Sequence, residues 1–123
     1  MISRSEIVPY SVTLTESQDA NVSKLLAKMN VIRAEYGMPL RVTSGFRTRE
    51  DEMRIDPAHP NSAHTRGEAV DILDTDGRFW NWCVDHLELL AELGVYLESR
   101  AYTPTHVHLQ ICPPASGHRI FLP

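Results

Sequence analysis

Apolar side chains recur at helical spacing over residues 15–36. Thr15 and Gln18 have the spacing of a capping box at the start of this segment, and Gly37 follows its last residue. An amphipathic helix with this pattern buries one face against a core and exposes the other to water. Its buried face is predicted to comprise Val22, Leu25, Leu26, Met29, Ile32 and Tyr36.

Shorter patterns after Gly37 predict a second long helix and a set of strands. Residues 77–93 carry apolar side chains at helical spacing, and Gly94 ends that segment. The polar stretch 48–63 is interrupted by two prolines and predicts only one short helical segment, at 49–55. Strands are predicted over 39–45, 68–73, 95–98, 106–111 and 119–122.

Two of these strands alternate between apolar and polar positions. In the first, Val70 and Ile72 share one face and Asp71 lies on the other; in the second, His106 and His108 lie opposite the apolar residues. The apolar faces must turn toward the helices, so the carboxylate and both imidazoles project from the opposite side. The sequence therefore predicts an α+β fold, with helices on one side of a mainly antiparallel sheet and a site on its open face.

Composition and charge exclude several classes of protein. The chain has 123 residues, which predicts a single domain over 1–123, and 42% of them are hydrophobic. A net charge of −4 disfavours nucleic-acid binding, which normally needs a basic surface. No apolar run approaches the roughly 20 residues of a membrane span, and the N-terminus lacks a signal-peptide core. We therefore expect synthesis in the cytoplasm without a signal peptide, and neither a membrane nor a nucleic-acid partner; a monomer is assumed.

The two cysteines predict no metal or redox motif. Cys83 falls on a helix and Cys112 at the end of a strand, without Cys-x-x-Cys spacing. Buried free thiols are the favoured interpretation, and a disulfide between them is the alternative.

A histidine and an aspartate flank a glycine turn, and a further histidine lies on a later strand. These residues are His64, Asp71 and His108, with Gly67 allowing the chain to fold back between the first two. Two imidazoles and one carboxylate form the ligand set of a catalytic zinc site, which keeps one position open. We therefore predict a Zn²⁺ site at these three residues.

Solvated or hydrogen-bonded histidines and a turn-forming aspartate are the alternative interpretation. We assign His59, His86 and His118 to that class, because none of them shares the pattern. The metal interpretation is favoured for His64, Asp71 and His108. Their residue types, the glycine turn between the first two and the shared strand face all point to one site.

The segment Ser62-x-His64-x-x-Gly67-x-Ala69-x-Asp71, followed by His106-x-His108, resembles a known family. It is similar to the zinc peptidases that include D-alanyl-D-alanine carboxypeptidases and phage L-alanyl-D-glutamate endolysins, whose fold the hedgehog signalling domain shares. The upstream Ser44-Gly45-Phe46-Arg47 also resembles the family's Ser-Gly-Tyr/Phe-Arg segment. The resemblance covers about residues 40–112, and the end of the chain looks most similar to small phage or prophage members.

The resemblance implies a role for each matched residue. His64, Asp71 and His108 match the zinc ligands, and Arg47 matches the arginine that holds the substrate carbonyl or its oxyanion. A surface salt bridge from Arg47 to Glu50 or Asp51 is the alternative. By resemblance the activity is that of a metallopeptidase on peptidoglycan stem peptides, cutting at a D-Ala-D-Ala or an L-Ala-D-Glu bond in the cell wall.

The resemblance matches no general base directly, because no carboxylate lies just before His108. Glu98 is the candidate: if 99–105 is a hairpin loop, Glu98 pairs near His106, Tyr96 pairs near His108, and Glu98 shares the metal face. A one-residue slip would turn Glu98 to the other face, as an exposed strand-end carboxylate. His106 either hydrogen-bonds the reacting oxygen or caps the open face.

A non-catalytic module is the alternative function. A phage virion component could keep this fold with zinc as a structural element, since fold alone does not determine activity. The missing carboxylate before His108 favours that alternative.

Overall fold

The computed structural model describes all residues, 1–123. The α-helices are α1 (Arg4–Ile7), α2 (Glu16–Tyr36), α3 (Arg49–Ile55), α4 (Arg78–Asp85) and α5 (Leu87–Leu93). Two 3-10 helices span Ala63–Arg66 and Arg100–Tyr102. The strands are β1 (Val42–Ser44), β2 (Ala69–Leu73), β3 (Tyr96–Glu98), β4 (His106–Gln110) and β5 (Ile120–Phe121).

The five strands form one sheet in the order β1-β2-β4-β3-β5. Every neighbouring pair is antiparallel except β3 and β5, which run parallel. The predicted α+β class with a mainly antiparallel sheet is confirmed. No helix has both the length and the apolar character that crossing a membrane requires.

One hydrophobic core fills the space between this sheet and the helices α1, α2, α4 and α5. The predicted stripe of α2 faces this core, and its capping box and left-handed Gly37 cap are both present. The strands contribute the apolar residues of their alternating pattern to this core, and the helices contribute the remaining apolar side chains. Its fully buried members include Val22, Met29, Ile32, Val70, Ile72, Phe79, Leu90, Leu97, Val107 and Leu109.

The predicted single helix over 77–93 is wrong, because it is divided into α4 and α5 at His86. The His86 ring donates from Nδ1 to the carbonyl oxygen of Trp82, at 2.7 Å. That carbonyl is the one that would accept the backbone N–H of His86 in a continuous helix. The His86 N–H bonds instead to the carbonyl of Cys83, three residues back, and α4 ends there.

The loop between β3 and β4 is anchored by Arg100. Its guanidinium donates to the buried carboxylate of Asp74 at 3.0 Å and to the carbonyl oxygen of Pro104 at 2.8 Å. Asp74 also accepts the backbone N–H groups of Phe79 and Trp80 and thereby caps α4. This loop leads directly into His106, so its anchoring fixes where β4 begins.

The predicted pairing of β3 with β4 is wrong by two residues. Tyr96 lies opposite Gln110, not His108, and the next pair is Leu97 with Leu109. The same register places Glu98 opposite His108. Because strand faces repeat every two residues, a two-residue shift leaves Glu98 on the metal face.

The sheet face that holds Asp71 is more enclosed than a half-buried strand would be. All residues of β2 except Leu73 are buried, and Asp71 is only 5% exposed. The chain segment 45–66 covers this side, where Phe46, Glu52 and His64 are all buried. Water therefore reaches the polar face through a cleft and not across an open surface.

Candidate metal centre

Three predicted ligands come together from three separate elements. Asp71 and His108 are direct partners across β2 and β4, and His64 lies on the 3-10 helix just before β2. Gly67 ends that helix in the left-handed conformation, with φ of 75°, and so returns the chain to the sheet. One donor atom from each ligand lies within 4.8 Å of the other two.

His64 presents its Nε2 atom to this cluster. Its other ring nitrogen, Nδ1, donates to the carbonyl oxygen of Gly45 at 2.8 Å, while Nε2 lies 3.4 Å from Oδ1 of Asp71. A backbone carbonyl that holds the second N–H of a histidine is the usual support of a metal-binding imidazole. The lone pair of Nε2 is therefore available to a cation.

His108 faces the same carboxylate oxygen from β4. Its Nδ1 atom lies 2.9 Å from Oδ1 of Asp71, and its Nε2 atom lies 2.8 Å from Oε1 of Gln110. The rings of His64 and His108 meet edge to face, with centroids 5.1 Å apart.

This donor set fits zinc. Tetrahedral bonds of about 2.1 Å place neighbouring ligand atoms roughly 3.4 Å apart, which matches the separation of His64 Nε2 and Asp71 Oδ1. The His108 contact is shorter because a proton bridges it to Asp71, and metal binding would displace that proton. Three protein ligands with one open position are typical of catalytic zinc.

The electrostatics of the cluster favour a cation. Burial opposes ionisation of Asp71, but hydrogen bonds from His108 and His64 outweigh it and hold the pKa of Asp71 below its usual range. Burial also disfavours the charged form of His108, but the hydrogen bond to Asp71 outweighs it and raises the pKa of His108. A buried carboxylate thus stays negative and binds positive charge.

Arg47 supports the outer side of Asp71. It donates from Nη2 to Asp71 Oδ2 at 3.3 Å, from Nη1 to Glu52 at 2.8 Å and from Nε to Ser44 at 2.9 Å. The alternative salt bridges to Glu50 and Asp51 are therefore not the ones formed. Arg47 thus joins Asp71 to a second carboxylate, Glu52, that is only 2% exposed.

His106 and Glu98 lie on the walls of the same site. His106 Nε2 lies 3.8 Å from Asp71 Oδ2, and its side chain is 31% exposed. The negative charge of Glu98 contributes to the raised pKa of His108. Both residues line the cleft that leads from solvent to His64, Asp71 and His108.

All six predicted site residues line one cleft of about 540 Å³. The cleft brings together the three ligands with Arg47, Glu98 and His106. His59, which the sequence assigned to the solvated or hydrogen-bonded histidines, lies at the edge of this cleft, with its Nδ1 atom 2.8 Å from Oδ2 of Asp56.

Two residues that were not among the predicted site residues contact them. Gln110 holds His108, and its position was indicated by strand alternation, which put it on the metal face. Glu52 holds Arg47. No local pattern distinguished it from the neighbouring acidic residues of α3, because its burial depends on how the 45–66 segment folds over the sheet.

Comparison with known proteins agrees with this geometry. The family model described as Peptidase M15 matches residues 2–109, which include all six site residues. No curated protein matches the sequence significantly. The fold is similar to that of an L-Ala D-Glu endopeptidase, ChiX, from Serratia marcescens, with 18% identity, a TM-score of 0.50 and coverage of 84% of this chain and 92% of that one. The match over most of the chain, together with the ligand cluster, shows that this protein belongs to the Peptidase M15 family.

Proposed function

We propose that this protein is a zinc-dependent peptidase that hydrolyses a peptide bond in peptidoglycan stem peptides. The observation that carries the proposal is the convergence of His64 Nε2, Asp71 Oδ1 and His108 Nδ1 at one cleft. A bound zinc ion would supply a Lewis acid that polarises a carbonyl and makes hydroxide available near neutral pH. Family membership supports a peptidase.

Glu98 is the proposed general base. Its carboxylate lies on the cleft wall, on the same sheet face as His108. It would take a proton from the attacking water and return it to the leaving amine, as a carboxylate beside a zinc site can do. The support for this role is that Glu98 lines the same cleft as the three proposed ligands.

Arg47 and His106 are proposed to stabilise the charge that develops on the substrate oxygen. A guanidinium carries five N–H groups, of which Ser44, Glu52 and Asp71 engage three, so two can donate to a substrate. Donors held in place before the reaction lower the barrier because they need no reorganisation. His106 adds a ring nitrogen on the neighbouring wall.

The substrate class follows from similarity. ChiX is named for cleavage between L-Ala and D-Glu, and we propose a stem peptide of the cell wall for this chain too, cut at that bond or at D-Ala-D-Ala. The cleft suits a polar peptide because most of its lining residues are charged or polar.

Digestion of purified peptidoglycan tests the proposal. The zinc-loaded protein is incubated with sacculi, and soluble products are identified by mass spectrometry, with chelator-treated protein and Glu98→Gln as controls. Zinc-dependent peptides with new amino groups are expected, and their masses identify the bond. Bound zinc without products from sacculi or their purified stem peptides would contradict the peptidase and favour a non-catalytic module.

A further inference from the structure

Gln110 is held rigidly beside a metal ligand. It lies two residues after His108 on β4, shares its sheet face and is 9% exposed. Its backbone pairs with Ala69 on one side and Tyr96 on the other, so the residue sits in the middle of the sheet. A side chain in such a position has little freedom to turn.

The orientation of the Gln110 amide is determined by a carbonyl. Its Nε2 atom donates to the backbone oxygen of Cys112 at 2.9 Å, which leaves Oε1 facing His108 Nε2 at 2.8 Å. The reversed amide would place two oxygen atoms in contact at Cys112 and lose that hydrogen bond. Since Oε1 can only accept, the Nε2 atom of His108 must carry a hydrogen.

This hydrogen decides which nitrogen of His108 can bind a metal. With Nε2 protonated, the lone pair of a neutral ring is on Nδ1, the atom that faces Asp71. His64 has the opposite arrangement, because its Nδ1 donates to Gly45 and its Nε2 faces the cluster. The two histidine ligands thus use different nitrogens, each selected by its outer hydrogen bond.

We propose that Gln110 is a positioning residue that keeps His108 in the Nε2–H tautomer, with Nδ1 directed to the metal. The inference rests on the zinc site of the proposed function and adds a residue that acts on the metal through His108. Loss of such an outer partner typically weakens metal affinity 10- to 100-fold.

Zinc affinity and the His108 tautomer test this role without any activity assay. The zinc dissociation constant is measured by chelator competition for wild type, Gln110→Leu, Gln110→Glu and Cys112→Ala. We expect about 10- to 100-fold weaker binding in Gln110→Leu. Gln110→Glu should show a smaller loss, because its carboxylate still accepts from Nε2 of His108 but places an oxygen against the carbonyl of Cys112. Cys112→Ala keeps the backbone carbonyl and should bind zinc like wild type.

Long-range ¹H–¹⁵N NMR of zinc-loaded wild type gives an independent result. His108 is expected to show a protonated Nε2 and a metal-bound Nδ1, and this measurement does not depend on whether Gln110→Leu folds. Unchanged affinity in Gln110→Leu, or a His108 with Nδ1–H, would overturn the inference while leaving a zinc-dependent peptidase intact. A wild type that binds no zinc would overturn both.

Discussion

Arg47 Nη2 lies 3.3 Å from Oδ2 of Asp71, while Oδ1 of the same carboxylate faces both histidine ligands. The two oxygens of Asp71 therefore have different partners; in the proposed zinc site Oδ1 would bind the metal while Oδ2 holds the arginine. The arginine is held in turn by Glu52. Removing any one of these side chains should therefore disturb the position of the next in the series.

The pair of Arg47 and Glu52 should contribute to folding. In Glu52→Gln one of the two carboxylates that balance a largely buried guanidinium is removed, and losing a charged hydrogen-bond partner costs about 2 kcal/mol. The free energy of unfolding, from urea titration, should fall by about that amount. Glu50→Gln is the matched control, because Glu50 is exposed on the same helix and should change stability by less than about 0.5 kcal/mol. Equal losses in the two variants would contradict the account.

Gly67 should be required for both its conformation and its lack of a side chain. A Cβ there would lie 2.8 Å from a methyl carbon of Val22 and 2.9 Å from the backbone oxygen of Gln18. Gly117 has a similar φ, 72° against 75°, but no atom within 4 Å of its Cβ position. Both alanine variants should lose about 1 kcal/mol from backbone strain.

Only Gly67→Ala should lose more stability than this and also bind zinc less tightly, because the clash displaces the turn that carries His64. Thermal unfolding and chelator competition measure the two effects. If Gly67→Ala and Gly117→Ala behaved alike, the close packing of the turn would be refuted.

Glu98→Gln should separate zinc binding from catalysis. The amide keeps the size of the side chain but cannot take a proton, so hydrolysis of peptidoglycan should fall at least about 100-fold while zinc content stays at the wild-type level. Glu68→Gln is the control, since Glu68 forms an ion pair with Arg66 on the other side of the strand. Turnover that is unchanged in Glu98→Gln would remove Glu98 from the mechanism.

The two thiols should differ in reactivity. Burial, reinforced by the charge of Asp74, raises the pKa of Cys83 and keeps it protonated; burial raises that of Cys112 too, although its hydrogen bond from Arg66 opposes the shift. Cys112 is also partly exposed, and both cysteines are free. Titration with a thiol reagent at neutral pH should detect one reactive thiol in the folded protein and two after unfolding. Two fast thiols, or none, would contradict this packing.

Much of the fold followed from alternation and caps. The α2 helix, with Thr15, Gln18 and Gly37, was predicted with its bounds, as was the short helix at 49–55, because these signals are local. The break at His86 could not be predicted, since it depends on a ring competing with a backbone N–H for one carbonyl.

The convergence of the three proposed ligands is easier to predict than the residues that support them. His64, Asp71 and His108 stand in a specific sequence motif, and strand alternation gave their common face. Glu52 is different, because its burial depends on contact between segments distant from each other in sequence. The predicted strand face of Glu98 is correct despite a two-residue error in register, because the faces of a strand also repeat every two residues.

Zinc stoichiometry tests the central claim most directly. The purified protein is saturated with zinc, freed of unbound metal by gel filtration and analysed for metal per chain. We expect one zinc in wild type and in His118→Ala, whose histidine is exposed, and little or none in His64→Ala, Asp71→Ala and His108→Ala. A wild type without zinc, or ligand variants that retain it fully, would contradict the account.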